Sequence, residues 1–397
     1  MTRLLPLIAM LATITLLTGC QDDDDTRPAL EVPSDYSFTR DAQSTVSFSG
    51  QTTRIAMAEE LAVAMINFDQ TAEGLAEMFR NTEGTMPFAD ADLNASTKSI
   101  RSKVAASHDL FFSNTTASTA IRTTMDEWLT AQVNEVFPNR NEVAAAGQAG
   151  QIADGSSVRY VNANGLEYNQ AIAKSLIGAL MYDQAVNNYL STAVLDEGTN
   201  REDNDMGTVV DRSPYTSMEH KWDEAFGYLF GGSQNPAKPL TDLGTADNFL
   251  NKYLGRVEDD ADFTGIATDV ELAFRTGRAA IVAGDYAERD RQATIIKENL
   301  TKVLAVRAVY YLKQGETALT TTPANTGGAF HDLSEGYGFI YSLRFVAGQD
   351  ATVVEGWITD LTNASGNGFW DLDTTVLATI ANEISTAYGI SVAEAGN

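Results

Sequence analysis

Two of the three histidines in the chain stand in matching surroundings. His220-Lys221-Trp222-Asp223-Glu224-Ala225-Phe226-Gly227-Tyr228 and His331-Asp332-Leu333-Ser334-Glu335-Gly336-Tyr337-Gly338-Phe339 share one pattern: histidine, three residues, glutamate, one residue, aromatic, glycine, aromatic. Residues i and i+4 lie one turn apart on a helix face, so each copy projects an imidazole and a carboxylate in one direction. If the copies face each other, their nitrogen and oxygen donors suit a divalent first-row metal such as iron or zinc. The candidate metal ligands are therefore His220, Glu224, His331 and Glu335. Asp223 adds an acid to the first copy alone, since Ser334 occupies the matching place. The same spacing also describes a buried hydrogen-bonded pair. In that case Gly227 and Gly338 let a neighbouring helix approach while the flanking rings fill the core. A shared metal centre requires the two imidazoles to converge; packing does not.

Other constellations carry less. His108, in Ser107-His108-Asp109, has no partner at a defined spacing and reads as solvated or capping. The chain has no His-Glu-x-x-His zinc-protease pattern, no Gly-x-Ser-x-Gly elbow and no Gly-x-x-x-x-Gly-Lys phosphate loop. Asp371-Leu372-Asp373 fits a helix N-cap better than a calcium loop, and Glu202-Asp203-Asn204-Asp205 is a weak calcium candidate. No catalytic residue is assigned.

The elements that must position the motif read as helices. Ile55, Ala58, Leu61 and Met65 fall on one helical face, as do Ile121, Met125, Trp128, Leu129 and Val133. Long helices are expected through Ile172, Leu176, Leu180 and Tyr189, and through Ile296, Leu300, Val303 and Tyr310. Breaks are expected at Gly147 to Gly155, at the acid loop Asp196 to Gly207, and at Gly231 to Pro239. The best strand pattern is Val158 to Val161 before Asn164-Gly165. The expected fold is all-α. Because the helix carrying Lys174 resembles the one carrying Lys297, each ahead of a motif copy, the spacing suggests duplicated helical bundles related by an approximate twofold axis. The expected division is a signal segment over 1–19, an acidic tether over 20–48, and bundles over 49–235 and 236–397.

Composition sets the remaining limits. The 397 residues carry a formal net charge of −27, and 44% are hydrophobic, ample for a large core without other staples. Such a surface repels phosphate and argues against nucleic acid or anionic lipid as direct partners. The lone cysteine, Cys20, follows one arginine, an apolar run from Leu4 to Leu17, and Leu17-Thr18-Gly19. That layout is a secretory signal, and it resembles the lipobox cut by lipoprotein signal peptidase. Cys20 is then the lipidated first residue, and no thiol is left for a disulfide, a metal or a nucleophile. Gln21 rather than an aspartate follows it, which favours the outer membrane over the inner, with the domain periplasmic or surface-exposed.

Tyr36-Ser37-Phe38, Phe48-Ser49-Gly50-Gln51-Thr52 with Arg54, Asn164-Gly165-Leu166-Glu167 and Met218-Glu219-His220 through Tyr228 resemble a family of bacterial lipoproteins known as domain of unknown function four-eight-five-six. That family is distantly similar to the imelysins, iron-regulated envelope proteins of two helical bundles once classed as peptidases. The imelysin hallmark is Gly-x-His-x-x-Glu. Here Met218 replaces the glycine, Asp223 stands at the glutamate position, and Glu224 comes one residue later. The resemblance implies binding of a metal or metal-bearing ligand near iron acquisition. One alternative is a non-catalytic partner of an outer-membrane transporter. Another is a metallopeptidase with Glu224 or Glu335 as general base.

Overall fold

The computed structural model describes residues 30–363 and 366–397. The signal segment, Cys20 and the first part of the tether lie outside them. Described residues 32–397 pack as one unit, in which helices from both sides of residue 235 intermix. The chain is mostly helical, as the apolar spacing predicts. No helix among the described residues is long and apolar enough to cross a membrane.

A short hairpin, β1 (Thr39–Arg40) with β2 (Gln43–Ser44), leads into α1 (Ser49–Ala64). Ile55, Ala58 and Leu61 are buried on one face of α1. Helix α2 (Thr115–Ala131) buries Ile121, Met125, Trp128 and Leu129, then passes into a wider turn over Gln132–Val136. Val136 continues the buried face of Leu129, seven residues on, while Val133 is only partly covered. Gly147 to Gly155 is not simply a break. Strand β3 (Gly150–Asp154) pairs antiparallel with β4 (Ser157–Val161), the strand that the Val158–Val161 pattern predicts. Likewise the acid loop contains a short helix, Asn200–Asp205.

Helix α3 (Tyr168–Leu176) continues through wide turns over Ile177–Tyr182 and Ala185–Tyr189. The first widening has a visible cause. The Ser342 hydroxyl donates to the Lys174 carbonyl at 2.8 Å and accepts from the Gly178 N–H at 3.0 Å, standing where the i→i+4 bond would be. Helix α4 (Ser217–Phe230) carries the first motif and opens with a capping box, Thr216 and Glu219 bonding each other's backbone. Then come α5 (Leu250–Glu258), α6 (Ile266–Ala283), α7 (Tyr286–Thr320) and α8 (Thr326–Ser342), which carries the second motif. Helix α9 (Thr374–Tyr388) starts at Asp373, whose side chain accepts from the Thr375 N–H, the N-cap role read from Asp371-Leu372-Asp373.

Helix α8 packs on α3 and α7, and α4 packs on α1, α6 and the Ala185–Tyr189 turn. Both motif glycines sit at close approaches. A Cβ on Gly227 would stand 2.4 Å from Phe48 Cβ, and one on Gly338 would stand 2.4 Å from Lys174 Cβ. The flanking rings Phe226, Tyr228, Tyr337 and Phe339 are all buried, so the tail of each motif packs as its residue types suggest.

Candidate functional site

The second motif copy faces a cavity of about 570 Å³ bounded by α5, α7 and α8. His331, Asp332 and Glu335 line it from α8. Glu335 is 8% exposed and pairs with Lys174 Nζ at 3.1 Å. Tyr253 of α5 donates to Glu335 at 3.4 Å, and Tyr311 of α7 donates to the Tyr253 hydroxyl at 3.4 Å. His331 Nδ1 donates to Glu167, the residue before α3, at 3.0 Å. Helix α3 thus supplies the opposite charge to both polar members of the motif.

The charges decide the protonation states. Burial would raise the Glu335 carboxyl, but the Lys174 ammonium and His331 beside it win and hold it at about 2. Burial opposes the charged form of His331, yet the Glu167 bond and the charges of Glu167 and Glu335 raise its pKa above the ordinary value. Asp332 goes the other way. Burial pushes it up to about 6, with Glu335 and Asp154 adding to the push and His331 opposing it.

Arg307 lines the same cavity and is 7% exposed. Its guanidinium carbon lies 3.9 Å from the ring centre of Tyr310, 4.6 Å from Tyr311 and 5.5 Å from Tyr253. Its Nε is buried without a hydrogen-bond partner, and among the described residues no carboxylate pairs with the guanidinium. A buried donor left unmade costs about 1–3 kcal/mol, and more when charged. Sequence reasoning did not single out Arg307, although the signal was there. Tyr310 and Tyr311 follow it at i+3 and i+4, the spacing that sets rings against a cation on one helix.

The first copy sits in a different setting. His220 Nδ1 donates to the Ser47 carbonyl at 3.0 Å, and the ring stacks on Tyr215 at 4.5 Å. Burial lowers its pKa, with Glu224 opposing, so the two motif histidines shift in opposite directions. Glu224 accepts from Gln51 at 3.1 Å and lies 3.7 Å from Lys221. Asp223 turns away to a buried cluster, accepting from Tyr36 at 2.7 Å, the Ser47 N–H at 3.1 Å and Arg278 at 3.1 Å. Glu219 of the same helix completes that cluster, taking Arg278 at 3.1 Å and Arg40 at 2.9 Å. His108 lies 3.6 Å from Asp109 and stacks on Phe112.

The expected metal ligands do not meet. Among the described residues no group of three or more His, Cys, Asp or Glu side chains could hold a metal ion. The reasons are local. Lys174 occupies the Glu335 carboxylate, His331 is turned to Glu167, His220 is bonded to a backbone carbonyl, and Asp223 is committed to Arg278. The residues at His220, Asp223, Glu224, His331 and Glu335 therefore do not fit a shared iron or zinc centre.

The motif copies nevertheless have similar neighbours. Trp222 covers Gly277 of α6, where a Cβ would stand 2.1 Å from the ring, and Leu333 covers Gly315 of α7, where the gap would be 2.5 Å. Gln51 of α1 reaches Glu224 as Lys174 of α3 reaches Glu335. The family assignment rests on the chain as a whole. The chain belongs to the family described as Domain of unknown function (DUF4856), whose model matches residues 33–391. No curated protein and no solved structure matches it. In this DUF4856 chain the segments that carry the resemblance hold the two motifs in place. Tyr36 stacks on Phe226 at 3.7 Å, Phe48 abuts Gly227, Gln51 reaches Glu224, and Glu167 holds His331.

Proposed function

We propose that the protein is an envelope lipoprotein, anchored in the outer membrane by lipid on Cys20, that binds a small polar ligand in the cavity at His331 and Glu335 and does no chemistry on it. The observation that supports this most is the wall of that cavity. It combines a buried guanidinium without an acidic partner, a tyrosine cluster and a fixed ion pair in a largely polar, charged lining, which suits a polar ligand rather than an apolar one. A metal enters this reading only as part of the ligand, already chelated, because no donor set converges among the described residues. Against a peptidase reading stands Glu335, held at about 2 by Lys174 although a general base works best with a pKa near the operating pH, and Glu224 does not line this cavity.

Two measurements test the two halves. Cys20→Ala should move the protein from the membrane to the soluble envelope fraction, and unchanged membrane attachment refutes the anchoring. Thermal-shift screening of amino acids, short peptides, dicarboxylates, sugars, nucleosides and ferric citrate tests the cavity. A compound that stabilises the wild type but not His331→Leu supports binding there. A panel that stabilises neither protein, or both equally, refutes it.

A further inference from the structure

Among the described residues four arginines are buried: Arg54, Arg278, Arg289 and Arg307. Three of them have oxygen acceptors. Arg54 bonds the carbonyls of Ser99 and Gly50, Arg278 pairs with Glu219 and Asp223, and Arg289 pairs with Asp196 and Asp290. Rings also flank Arg278 and Arg289, but Arg307 has rings and no oxygen acceptor among the described residues, and it faces a cavity. A guanidinium carries its N–H bonds in its own plane, so stacking on rings leaves them available to a planar, two-oxygen acceptor. On the α8 side of the same cavity, Asp332 is half-buried and has no hydrogen bond or ion pair from the protein among the described residues. Asp259 lies on the α5 rim with no ion pair of its own. Glu335, by contrast, is neutralised by Lys174. The cavity thus sets a buried positive group, Arg307, and a half-buried negative group, Asp332, on different walls with no ion pair or hydrogen bond from the protein among the described residues, while Lys252, Arg256 and Asp259 add charge on the α5 side.

We infer that the ligand is a zwitterion of amino-acid or short-peptide type, its carboxylate paired with Arg307 and its ammonium with Asp332. The inference rests on the small-ligand reading and narrows it to one chemical class. A cavity of about 570 Å³ has room for a short peptide. Burial of Asp332 among other acids, which raises its pKa, also makes it a group that gains from a cation. The tyrosines around Arg307 give the ligand an apolar floor and keep the guanidinium plane fixed.

Titration calorimetry on the full lipidated protein in detergent tests this with trialanine, trialanine amide, N-acetyl-trialanine and inorganic phosphate as probes. Trialanine should bind; the amide, lacking the carboxylate, should bind at least about tenfold more weakly, the loss expected for one charge-assisted hydrogen bond. N-acetyl-trialanine, lacking the ammonium, should also be weaker. Arg307→Gln should remove the preference for acid over amide with little change in melting temperature, because the lost ring contacts are offset by removing a buried charge that had no carboxylate partner. Asp332→Asn should remove the preference for free amine over acetyl. Equal binding of acid and amide, or a preference that survives Arg307→Gln, overturns the assignment. So does phosphate competing as well as trialanine, which would make Arg307 a general oxyanion site. If trialanine fails while an uncharged sugar from the screen binds in a His331-dependent way, the zwitterion falls and the ligand-binding reading stands. If neither the probes nor the screen bind, both fall.

Discussion

Lys174 and Glu335 lie 3.1 Å apart, one on α3 and one on α8, and both are buried. The pair is held by the serine that opens α3, since Ser342 of α8 bonds the Lys174 carbonyl itself. Breaking such a pair on one side leaves a buried charge alone and costs about 3–5 kcal/mol, whereas replacing both partners by apolar residues is often near neutral. Lys174→Met should therefore lower the denaturation midpoint strongly, and Lys174→Met with Glu335→Leu should recover most of the loss. Equal destabilisation by single and double variants would show that the pair itself matters little.

The same pair has a signature in acid. The folded Glu335 carboxyl, at about 2, lies below its unfolded value of 4.5, so its contribution is present above that unfolded value and is lost as pH falls toward 2. Glu335→Gln should flatten the stability profile between those two pH values relative to the wild type. Urea denaturation at several pH values in that window checks it.

The two motif histidines should titrate apart. His331, raised above 6.5, contributes stability that is present below the unfolded value and lost as pH rises through its folded value. His220, lowered from 6.5, contributes stability that is present above the unfolded value and lost as pH falls through its folded value. Ring-proton NMR should show His331 titrating at the higher pH. Glu167→Gln should lower the His331 midpoint and leave His220 where it is. A single shared midpoint would contradict the different surroundings described for them.

Gly338→Ala and Gly227→Ala should each destabilise by roughly 1–3 kcal/mol, because the new methyl group would overlap Lys174 Cβ or Phe48 Cβ at 2.4 Å. Gly356→Ala is the contrasting case. It lies in the helix Ala351–Thr362, is exposed, and has nothing within 4 Å of a new Cβ, so alanine should stabilise by about 0.5–1 kcal/mol. Melting temperatures of the three variants test the set.

Those glycines mark what the sequence makes legible. Aromatic-Gly-aromatic on an apolar helix implies close packing whatever the partner, and the apolar faces of α1 and α2 follow from spacing alone. The end of α2 is less legible, because the wide turn over Gln132–Val136 is not announced by any residue and Val133 is only partly covered. Strand β3 was hidden because Gly150 and Asp154 at its ends read as a break, and only pairing with β4 makes it a strand. The chemistry of the motif was the least legible part. Spacing places His331 and Glu335 on one face, but their partners come from Glu167 and Lys174, far away in the chain. The helical neighbours of the two copies also occur in different chain order, α6 following α4 whereas α7 precedes α8, so comparing the Lys174 and Lys297 helices does not align the residues that matter. Lys174 meets Glu335, while the residue reaching Glu224 is Gln51.

Arg278 ties the later part of the segment expected as a tether, which packs with the helices from residue 32 on, to those helices. It is fully buried, pairs with Glu219 and Asp223, and donates to the Thr45 hydroxyl at 3.0 Å. Arg40 reaches the same Glu219 through two bonds of 2.9 and 3.0 Å, and Tyr36 reaches the same Asp223. Arg278→Met would leave two buried acids short of a cation, a change expected to cost about 3–5 kcal/mol. Part of that strain should be relieved by loosening the β1–β2 hairpin, since water can then reach Glu219. Trypsin should consequently cut after Arg40 faster in Arg278→Met than in the wild type, separating the helical unit from its tether. The charge-matched variant Arg278→Met, Glu219→Gln, Asp223→Asn removes the unpaired acids and should restore resistance in part. If the single variant unfolds globally, cleavage will occur at many sites at once, and a local latch at the hairpin is then the wrong description of Arg278.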